Sequence, residues 1–154
     1  MLAVADHDFL YFLEFEGCKG FEKFLSKVGR HTGCTVEPGN SIILDLLEKE
    51  LQDYFKGSLT SFSIPLKHFG TPFQKKVWEE LKKIPFGTAC SYLDLARNIE
   101  HPTAFRAVAQ ANGCNKFAII IPCHRVINAD GRIGGYGGGL AKKKWLLSHE
   151  KTKI

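Results

Sequence analysis

The sequence predicts an α/β protein with a small sheet-and-helix domain over residues 1–67 and a mainly helical domain over residues 68–154. The charge balance changes near Gly70, with 7 Lys or Arg against 10 Asp or Glu before it and 14 against 6 from it onward. The apolar periodicity changes at the same place, from mixed strand and helix patterns to mainly helical ones. A basic second part suits a polyanion such as nucleic acid, although a solvated lysine surface explains the charge equally well.

Length and composition exclude several classes of protein. The chain of 154 residues is long enough for a packed core, and its 44% hydrophobic and 24% charged residues are near the globular average. Disordered, collagenous and coiled-coil chains are therefore not expected. The longest apolar run, from Phe117 to Pro122, is too short to span a membrane, and no signal-peptide pattern opens the chain.

The cysteines indicate a reducing compartment. Five cysteines with irregular spacing and no CxxC pair argue against a disulfide framework. Only His31 and Cys34 have a short spacing in the first part, so a zinc site there would need ligands gathered from elsewhere, and we expect no metal. We expect a soluble protein of the cytoplasm, or of the nucleus in a eukaryote, with no membrane partner.

The first part has the pattern strand, helix, loop, helix, strand. The apolar and aromatic run from Phe9 to Glu16 predicts a strand, and the alternation from Phe62 to His68 predicts another. Ser41 is a good N-cap for an amphipathic helix whose apolar residues recur at helical spacing until Gly57.

The second part opens with strong helix signals. Thr71 as N-cap, Pro72 at the first helical position and Gln74 as the capping-box partner predict a helix that ends before Pro85 and Gly87. Its apolar stripe consists of Phe73, Val77, Trp78 and Leu81.

Two short helices follow. Ser91 with Asp94 caps one that runs to about Asn98, and the other runs from Thr103 to about Asn112. Two short helices joined by a tight turn in a basic region form a helix-turn-helix pattern, which by itself is weak evidence because helix pairs are common.

The remaining chain predicts a strand, a glycine-rich loop and a closing helix. The apolar run from Phe117 to Ile121 predicts a buried strand that ends at Pro122. The glycines between residues 134 and 139 match neither nucleotide-binding fingerprint. They either let the backbone approach a flat ligand such as a base or form a mobile surface loop. A last helix is expected from Leu140 to about Glu150.

Cys123 is the main candidate for chemistry. A free thiol is only a few per cent ionised at neutral pH, so a nucleophilic cysteine needs a base or a positive environment. His124 and Arg125 follow it directly, and Glu150 is a candidate to orient His124 in an arrangement that follows the logic of a triad. Without further information, a cysteine at a strand end is more often structural than catalytic.

Ile121 to Ile127 resembles the active-site signature of the O6-alkylguanine-DNA alkyltransferases, also called methylated-DNA-protein-cysteine methyltransferases. The resemblance extends from about Phe62 to Glu150. Further segments agree with the family in order and spacing: Gly70 to Gln74, Val77-Trp78, Ser91-Tyr92, Arg106 to Val108, Asn115, Gly135-Tyr136, Trp145 to Leu147 and His149-Glu150.

The resemblance implies a single-turnover DNA repair protein that moves a methyl group from O6-methylguanine, and less well from O4-methylthymine, to its own Cys123. It implies that His124 takes the thiol proton through a water and that Glu150 holds His124. Tyr92 would donate a hydrogen bond to the departing guanine, and Asn115 would brace the turn before the active-site strand.

The resemblance also implies a DNA-binding mode and a fold. Arg106 would enter the base stack from the minor groove while the damaged nucleotide is flipped out, with Thr103 and Ala104 contacting DNA nearby. The expected fold is a ribonuclease H-like first domain and a second domain with a helix-turn-helix and a short active-site strand. A monomer without cofactor is expected. The pocket for the extruded base would include Ala118, Val126, Tyr136 and Gly137.

Three positions depart from the family pattern. Lys116 stands where many members have Pro, Ala109 where many have Gly, and Ala118 where some have Pro. These positions bear on the geometry behind the recognition helix and on which adducts fit the pocket.

Two other classes of function are weighed against the transferase. A non-catalytic helix-turn-helix or lesion-recognition module of the same fold would lack the acceptor cysteine, which this chain has. A cysteine hydrolase would share Cys123 and His124 but would leave Arg106 and the basic charge without a purpose.

Overall fold

This computed structural model describes residues 1–151 of the chain, which form six α-helices and two small sheets. A mixed α/β fold is therefore confirmed. The strands and helices, in chain order, are β1 (Leu2–Ala5), β2 (Leu10–Glu14), α1 (Phe21–Thr32), α2 (Ile42–Lys56), α3 (Pro72–Lys82), β3 (Cys90–Ser91), α4 (Tyr92–Asn98), α5 (Phe105–Gly113), β4 (Val126–Ile127) and α6 (Leu140–Lys151).

The first part contains one of the two predicted strands and one that was not predicted. The first predicted strand corresponds to β2, which pairs antiparallel with β1. The strand predicted from Phe62 to His68 is wrong, because this segment makes only an isolated bridge between Leu66 and Leu10. Pro65 has no N–H group, so the segment cannot form a regular ladder. The ribonuclease H-like arrangement stays a prediction.

The predicted helix starts are confirmed where a side chain caps the first turn. The Ser41 hydroxyl accepts a hydrogen bond from the Leu44 amide, and Gly57, which directly follows α2, has a left-handed φ of 79°. Capping boxes are complete for Thr71 at the start of α3 and for Ser91 at the start of α4. Each cap satisfies backbone donors that the first turn of a helix leaves unpaired.

The helix-turn-helix consists of α4 and α5, but α5 begins at Phe105 and not at Thr103. Ala104 is the N-cap residue and cannot supply a side-chain hydrogen bond. Gly113 lies within α5 as its last residue, where the sequence predicted it to lie just beyond the helix.

The buried strand predicted from Phe117 to Ile121 is wrong. Only Phe117 makes a bridge, to Leu13 of β2, and the following residues form a tight turn in which Ile119 has a φ of 73°. The Ile121 amide donates to the Phe117 carbonyl at 3.0 Å. The short strand of this region, β4, follows Cys123 instead of preceding it.

One apolar core crosses the boundary predicted between the two parts. Leu10 and Leu47 from the first part pack in the same cluster as Leu81, Leu95 and Cys123 from the second. The division into domains at residues 67 and 68 remains a prediction. Within residues 1–151, no helix has both the length and the apolar character needed to cross a membrane.

Candidate active site

Cys123 begins a short 3₁₀ helix that ends at Arg125. Its side chain lies in the core, and the residue is 7% exposed. The thiol sulfur is 3.1 Å from Nδ2 of Asn115, which donates to it. Burial raises the pKa of Cys123 to about 11, although the Asn115 hydrogen bond and the charge of Lys143 oppose this rise. The resting thiol is therefore protonated at neutral pH and requires a base to react.

Asn115 organises the backbone in front of Cys123. Its Nδ2 donates to the carbonyl of Ile121 at 3.0 Å and to that of Phe117 at 3.4 Å, and its Oδ1 accepts from the Phe117 amide at 3.0 Å. These bonds compete with a β ladder and hold the segment in the observed turn. The side chain thus connects the chain just after the end of α5 with the thiol.

His124 and Glu150 are in direct contact. Nε2 of His124 lies 2.8 Å from Oε1 of Glu150, and both side chains are fully buried. Burial lowers the pKa of His124 below its usual value of 6.5, although the hydrogen bond to Glu150 and the negative charge of Glu150 both act to raise it. The imidazole is neutral at pH 7 and donates its Nε2 proton to Glu150. Within residues 1–151, Nδ1 of His124 has no hydrogen-bond partner.

Glu150 accepts five hydrogen bonds from three parts of the fold. Oε1 accepts from Tyr54 Oη of α2 at 2.7 Å, from His124, and from Nη2 of Arg125 at 3.0 Å. Oε2 accepts from Nε of Arg125 at 2.8 Å and from the Gly87 amide at 3.3 Å. Burial favours the neutral acid, but the bonds from His124 and Arg125 outweigh it and lower the pKa of Glu150 to about 2.

Two buried cations lie at the site, of which the sequence indicated Arg125, as a positive neighbour of Cys123, and not Lys143. Arg125 pairs with Glu150 and also donates to the Ile84 carbonyl through Nη1 at 2.6 Å. Lys143 of α6 is fully buried and donates to the carbonyls of Val126 at 2.6 Å and Gly135 at 3.2 Å. Arg125 belongs to the recognised signature, whereas nothing in the helical pattern of α6 shows that Lys143 points inward.

A cavity of about 320 Å³ opens beside the thiol. Three of the four predicted pocket residues line it, and Val126 does not: it is fully buried and its carbonyl accepts from Lys143. Glu14 of β2 and Asn112 of α5 also line the cavity and were not predicted. The lining residues are Glu14, Tyr92, Ala109, Asn112, Gly113, Asn115, Ala118, Cys123, Gly135, Tyr136, Gly137 and Gly138.

The two tyrosines of the cavity are poised as hydrogen-bond donors. Burial raises the pKa of Tyr92 and raises that of Tyr136 further, so both phenols keep their protons at neutral pH. Within residues 1–151, the Tyr136 hydroxyl and Oδ1 of Asn112 are buried without a hydrogen-bond partner. These groups give the cavity donor and acceptor capacity.

Of the four predicted DNA contacts, Tyr92 lines the cavity with the thiol and the other three lie outside it. Thr103 and Arg106 are exposed and Ala104 is partly so, and none of the three lines the cavity. The Arg106 guanidinium lies 5.7 Å from the ring centroid of Phe105, which is 44% exposed. The structure therefore places the candidate base-stack residue near the start of α5, whereas Ala109 and Asn112, further along the same helix, line the cavity.

The other four cysteines are unpaired thiols, and no three His, Cys, Asp or Glu side chains within residues 1–151 are grouped so that they could hold a metal ion. Burial raises the pKa of Cys90 to about 11, so this thiol is as protonated at rest as Cys123.

We expect Glu150→Gln to destabilise the protein by about 3–5 kcal/mol at pH 7, because Arg125 would keep a buried charge without its ionic partner. The stabilisation of the fold by the ionised Glu150 is fully present above pH 4.5, the ordinary pKa of a glutamate side chain. It is lost as the pH falls toward about 2, the pKa of Glu150 in the folded protein. Urea unfolding at several pH values measures both effects. Glu48→Gln, an exposed change on α2, is the control, and an equal loss in both variants would contradict the role of Glu150.

Comparison with known proteins supports the sequence resemblance. A family model described as the DNA-binding domain of 6-O-methylguanine DNA methyltransferase matches residues 72–152. A methylated-DNA–protein-cysteine methyltransferase of Mycobacterium tuberculosis is 50% identical over 104 residues, which are 68% of this chain and 63% of that protein. One of Methanosarcina acetivorans is 50% identical over 102 residues, 66% of this chain and 65% of that protein. The matched region thus spans slightly less than two thirds of these relatives.

Solved structures agree over most of the chain. The structure of Mycobacterium tuberculosis OGT in complex with DNA superposes with a TM-score of 0.83 at 38% identity, covering 99% of this chain and 86% of that one. The O6-methylguanine-DNA methyltransferase of Pyrococcus kodakaraensis gives a TM-score of 0.71 at 32% identity, covering 96% and 89%. The chain therefore belongs to the 6-O-methylguanine DNA methyltransferase family.

Proposed function

We propose that this protein repairs O6-alkylguanine in double-stranded DNA by transferring the alkyl group irreversibly to the sulfur of Cys123, once per molecule. O4-methylthymine is a poorer substrate. The observation that carries the proposal is a thiol at the wall of a cavity, followed in the chain by a histidine whose far nitrogen is held by a buried carboxylate. The names of the relatives give the same reaction class.

His124 serves as the base. The ionised Glu150 fixes the proton of His124 on Nε2, which leaves the lone pair on Nδ1. Nδ1 accepts the thiol proton of Cys123 through a bridging water. Arg125 and Tyr54 act on this step indirectly, since their hydrogen bonds keep Glu150 ionised and oriented.

The thiolate then attacks the alkyl carbon in line with the O6–carbon bond. The new sulfur–carbon bond forms as the bond to O6 breaks, and the electron pair stays on the guanine. Tyr92 donates a hydrogen bond to the leaving base, and the proton taken from the thiol ends on the released guanine. The thioether product offers water no good leaving group, so the protein is not regenerated and needs no cofactor or metal.

We infer that α5 is the helix that binds DNA. Its basic surroundings suit the phosphate backbone: from Gly70 onward the chain has 14 Lys or Arg and 6 Asp or Glu. We assign α5 to the minor groove, with Arg106, Thr103 and Ala104 at the DNA and the damaged base flipped into the cavity. The Mycobacterium tuberculosis relative was solved in complex with DNA, which supports the binding of DNA as such. We infer a monomer, and the unpaired cysteines suit the cytoplasm, or the nucleus of a eukaryote.

The first test is the intact mass of the protein after mixing with an equimolar duplex that contains one O6-methylguanine. We expect a gain of one methyl group and no further gain with excess duplex, because the acceptor is consumed. Cys123→Ser should bind the duplex and gain nothing. A wild-type protein that binds the duplex without a gain in mass would favour the non-catalytic lesion-binding module.

We expect the single-turnover rate of the wild type to be nearly constant between pH 6.5 and 9 and to fall only at lower pH, because the pKa of His124 is lowered from its usual value of 6.5. His124, with its lowered pKa, is neutral throughout that range, and Cys123 titrates only near pH 11. His124→Gln should be slower at pH 7 by about 100-fold. Its rate should rise roughly tenfold per pH unit, as the thiolate population does.

Quenched-flow mixing with the methylated duplex measures both profiles. The matched control is His7→Gln, an exposed change, which should keep the wild-type profile. A wild-type rate that rises tenfold per pH unit would contradict a role for His124 as the base.

Arg106→Ala should slow transfer from duplex DNA by about 10- to 100-fold, since base flipping costs a few kcal/mol and the arginine would compensate the lost stacking. Reaction with a free O6-alkylguanine base should stay within about twofold, because no flipping is needed. Arg30→Ala, which removes an exposed charge from α1, is the control for net charge. Equal losses on duplex and free base would contradict the flipping role.

A further inference from the structure

We propose that Glu14 makes this protein selective for the charge of the alkyl group, so that adducts bearing a negative charge are transferred much more slowly than neutral adducts of the same shape. This inference rests on the proposed function, since it concerns the same cavity and the same acceptor, Cys123.

Glu14 is held at the cavity wall by the backbone. It is the last residue of β2, and its neighbour Leu13 is bonded to the turn in front of the active site. The Leu13 amide donates to the Lys116 carbonyl, and the Ala118 amide donates to the Leu13 carbonyl, both at 2.8 Å. Because Ala118 also lines the cavity, these two bonds fix Glu14 next to the space that an adduct would occupy.

Glu14 is the single Asp, Glu, Lys, Arg or His among the described residues that line the cavity. The other lining side chains are glycines, alanines, amides, phenols and the thiol. Within residues 1–151, Glu14 forms no ion pair, so no direct contact neutralises its carboxylate. Lys116 acts on it only from a distance: it opposes the rise in the pKa of Glu14 that burial causes.

The negative charge of Glu14 acts on two other groups of the cavity, the Cys123 thiol and the Tyr136 phenol. Burial is the main cause that raises the pKa of Cys123 and of Tyr136, and the negative charge of Glu14 adds to both. The buried cation Lys143 does not line the cavity, and its ammonium donates to the carbonyls of Val126 and Gly135. An adduct in the cavity is therefore next to a carboxylate that no cation within residues 1–151 contacts directly.

The carboxymethyl group is the simplest anionic adduct. In its transfer, the sulfur–CH₂ bond of Cys123 forms while the CH₂–O6 bond breaks, and the thiol proton passes to the released guanine. The transferred group keeps its carboxylate, which would then share the cavity with Glu14. Two negative charges in a partly buried space repel, and we expect a rate about tenfold or more lower than for a neutral adduct of equal size.

The test compares duplexes that carry O6-carboxymethylguanine and O6-carbamoylmethylguanine, whose adducts share a shape and differ in charge. Single-turnover rates are measured by intact mass at pH 7.5. The wild type should prefer the carbamoylmethyl adduct by about tenfold or more, and Glu14→Gln should reduce this ratio about tenfold. Because both rates are measured on the same variant, a general effect of the substitution on the reactivity of Cys123 cancels in their ratio.

Glu16→Gln is the matched control. Glu16 lies two residues further along the chain, its side chain is 78% exposed, and its one ion pair is with the amino terminus. This variant should keep the wild-type ratio. Glu14→Ala replaces Glu14→Gln if thermal unfolding shows that the latter does not fold.

Two results would overturn the inference: an equal ratio in the wild type and the Glu14 variant, or an equal loss of selectivity in Glu16→Gln. A duplex with O6-methylguanine is run alongside. If the wild type transfers methyl from this duplex while Glu14→Gln and the wild type have the same ratio of carbamoylmethyl to carboxymethyl transfer rates, the charge selectivity is wrong and the proposed function stands. If the wild type transfers no group from any duplex, the proposed function fails with it.

Discussion

The buried carboxylate of Glu150 is the interaction on which the rest of the site depends. Removing a charge from water is costly unless it is paired and fully hydrogen-bonded, and Glu150 meets this condition with five donors. The donors come from α2, from the turn after α3 and from the 3₁₀ helix of the thiol. The closing helix α6 must therefore dock in one register, and this docking both stabilises the fold and orients His124.

Asn115 imposes a second constraint, on the backbone. By bonding to Phe117 and Ile121 it makes the apolar segment turn where its composition favours a strand. The turn delivers Cys123 to a 3₁₀ helix, so that the thiol and His124 leave the chain from a tight bend and not from opposite faces of a strand. The same amide contacts the sulfur, which ties the position of the thiol to the end of α5.

The surroundings of Cys123 keep its thiol protonated at rest. Burial raises the pKa of Cys123 while it lowers that of His124, and the two shifts together leave a protonated thiol beside a neutral imidazole. A thiol that is protonated at rest limits unwanted alkylation and oxidation, both of which require the thiolate, and this would matter for the single-turnover reaction that we propose. The proposed activity is thus consistent with a deeply buried acceptor.

The sequence by itself determined the helices with side-chain caps, the mixed α/β class, and the residues of the signature around Cys123. These features depend on neighbours within about four positions, and local hydrogen bonds and periodicity encode them. Only the tertiary structure decided the turn at Phe117 to Ile121 and the contacts of Tyr54 and Glu14 with the site. Tyr54 lies 96 positions from Glu150, and Glu14 lies on a strand of the first part. Such contacts follow from how helices and strands dock against one core, which no local pattern specifies.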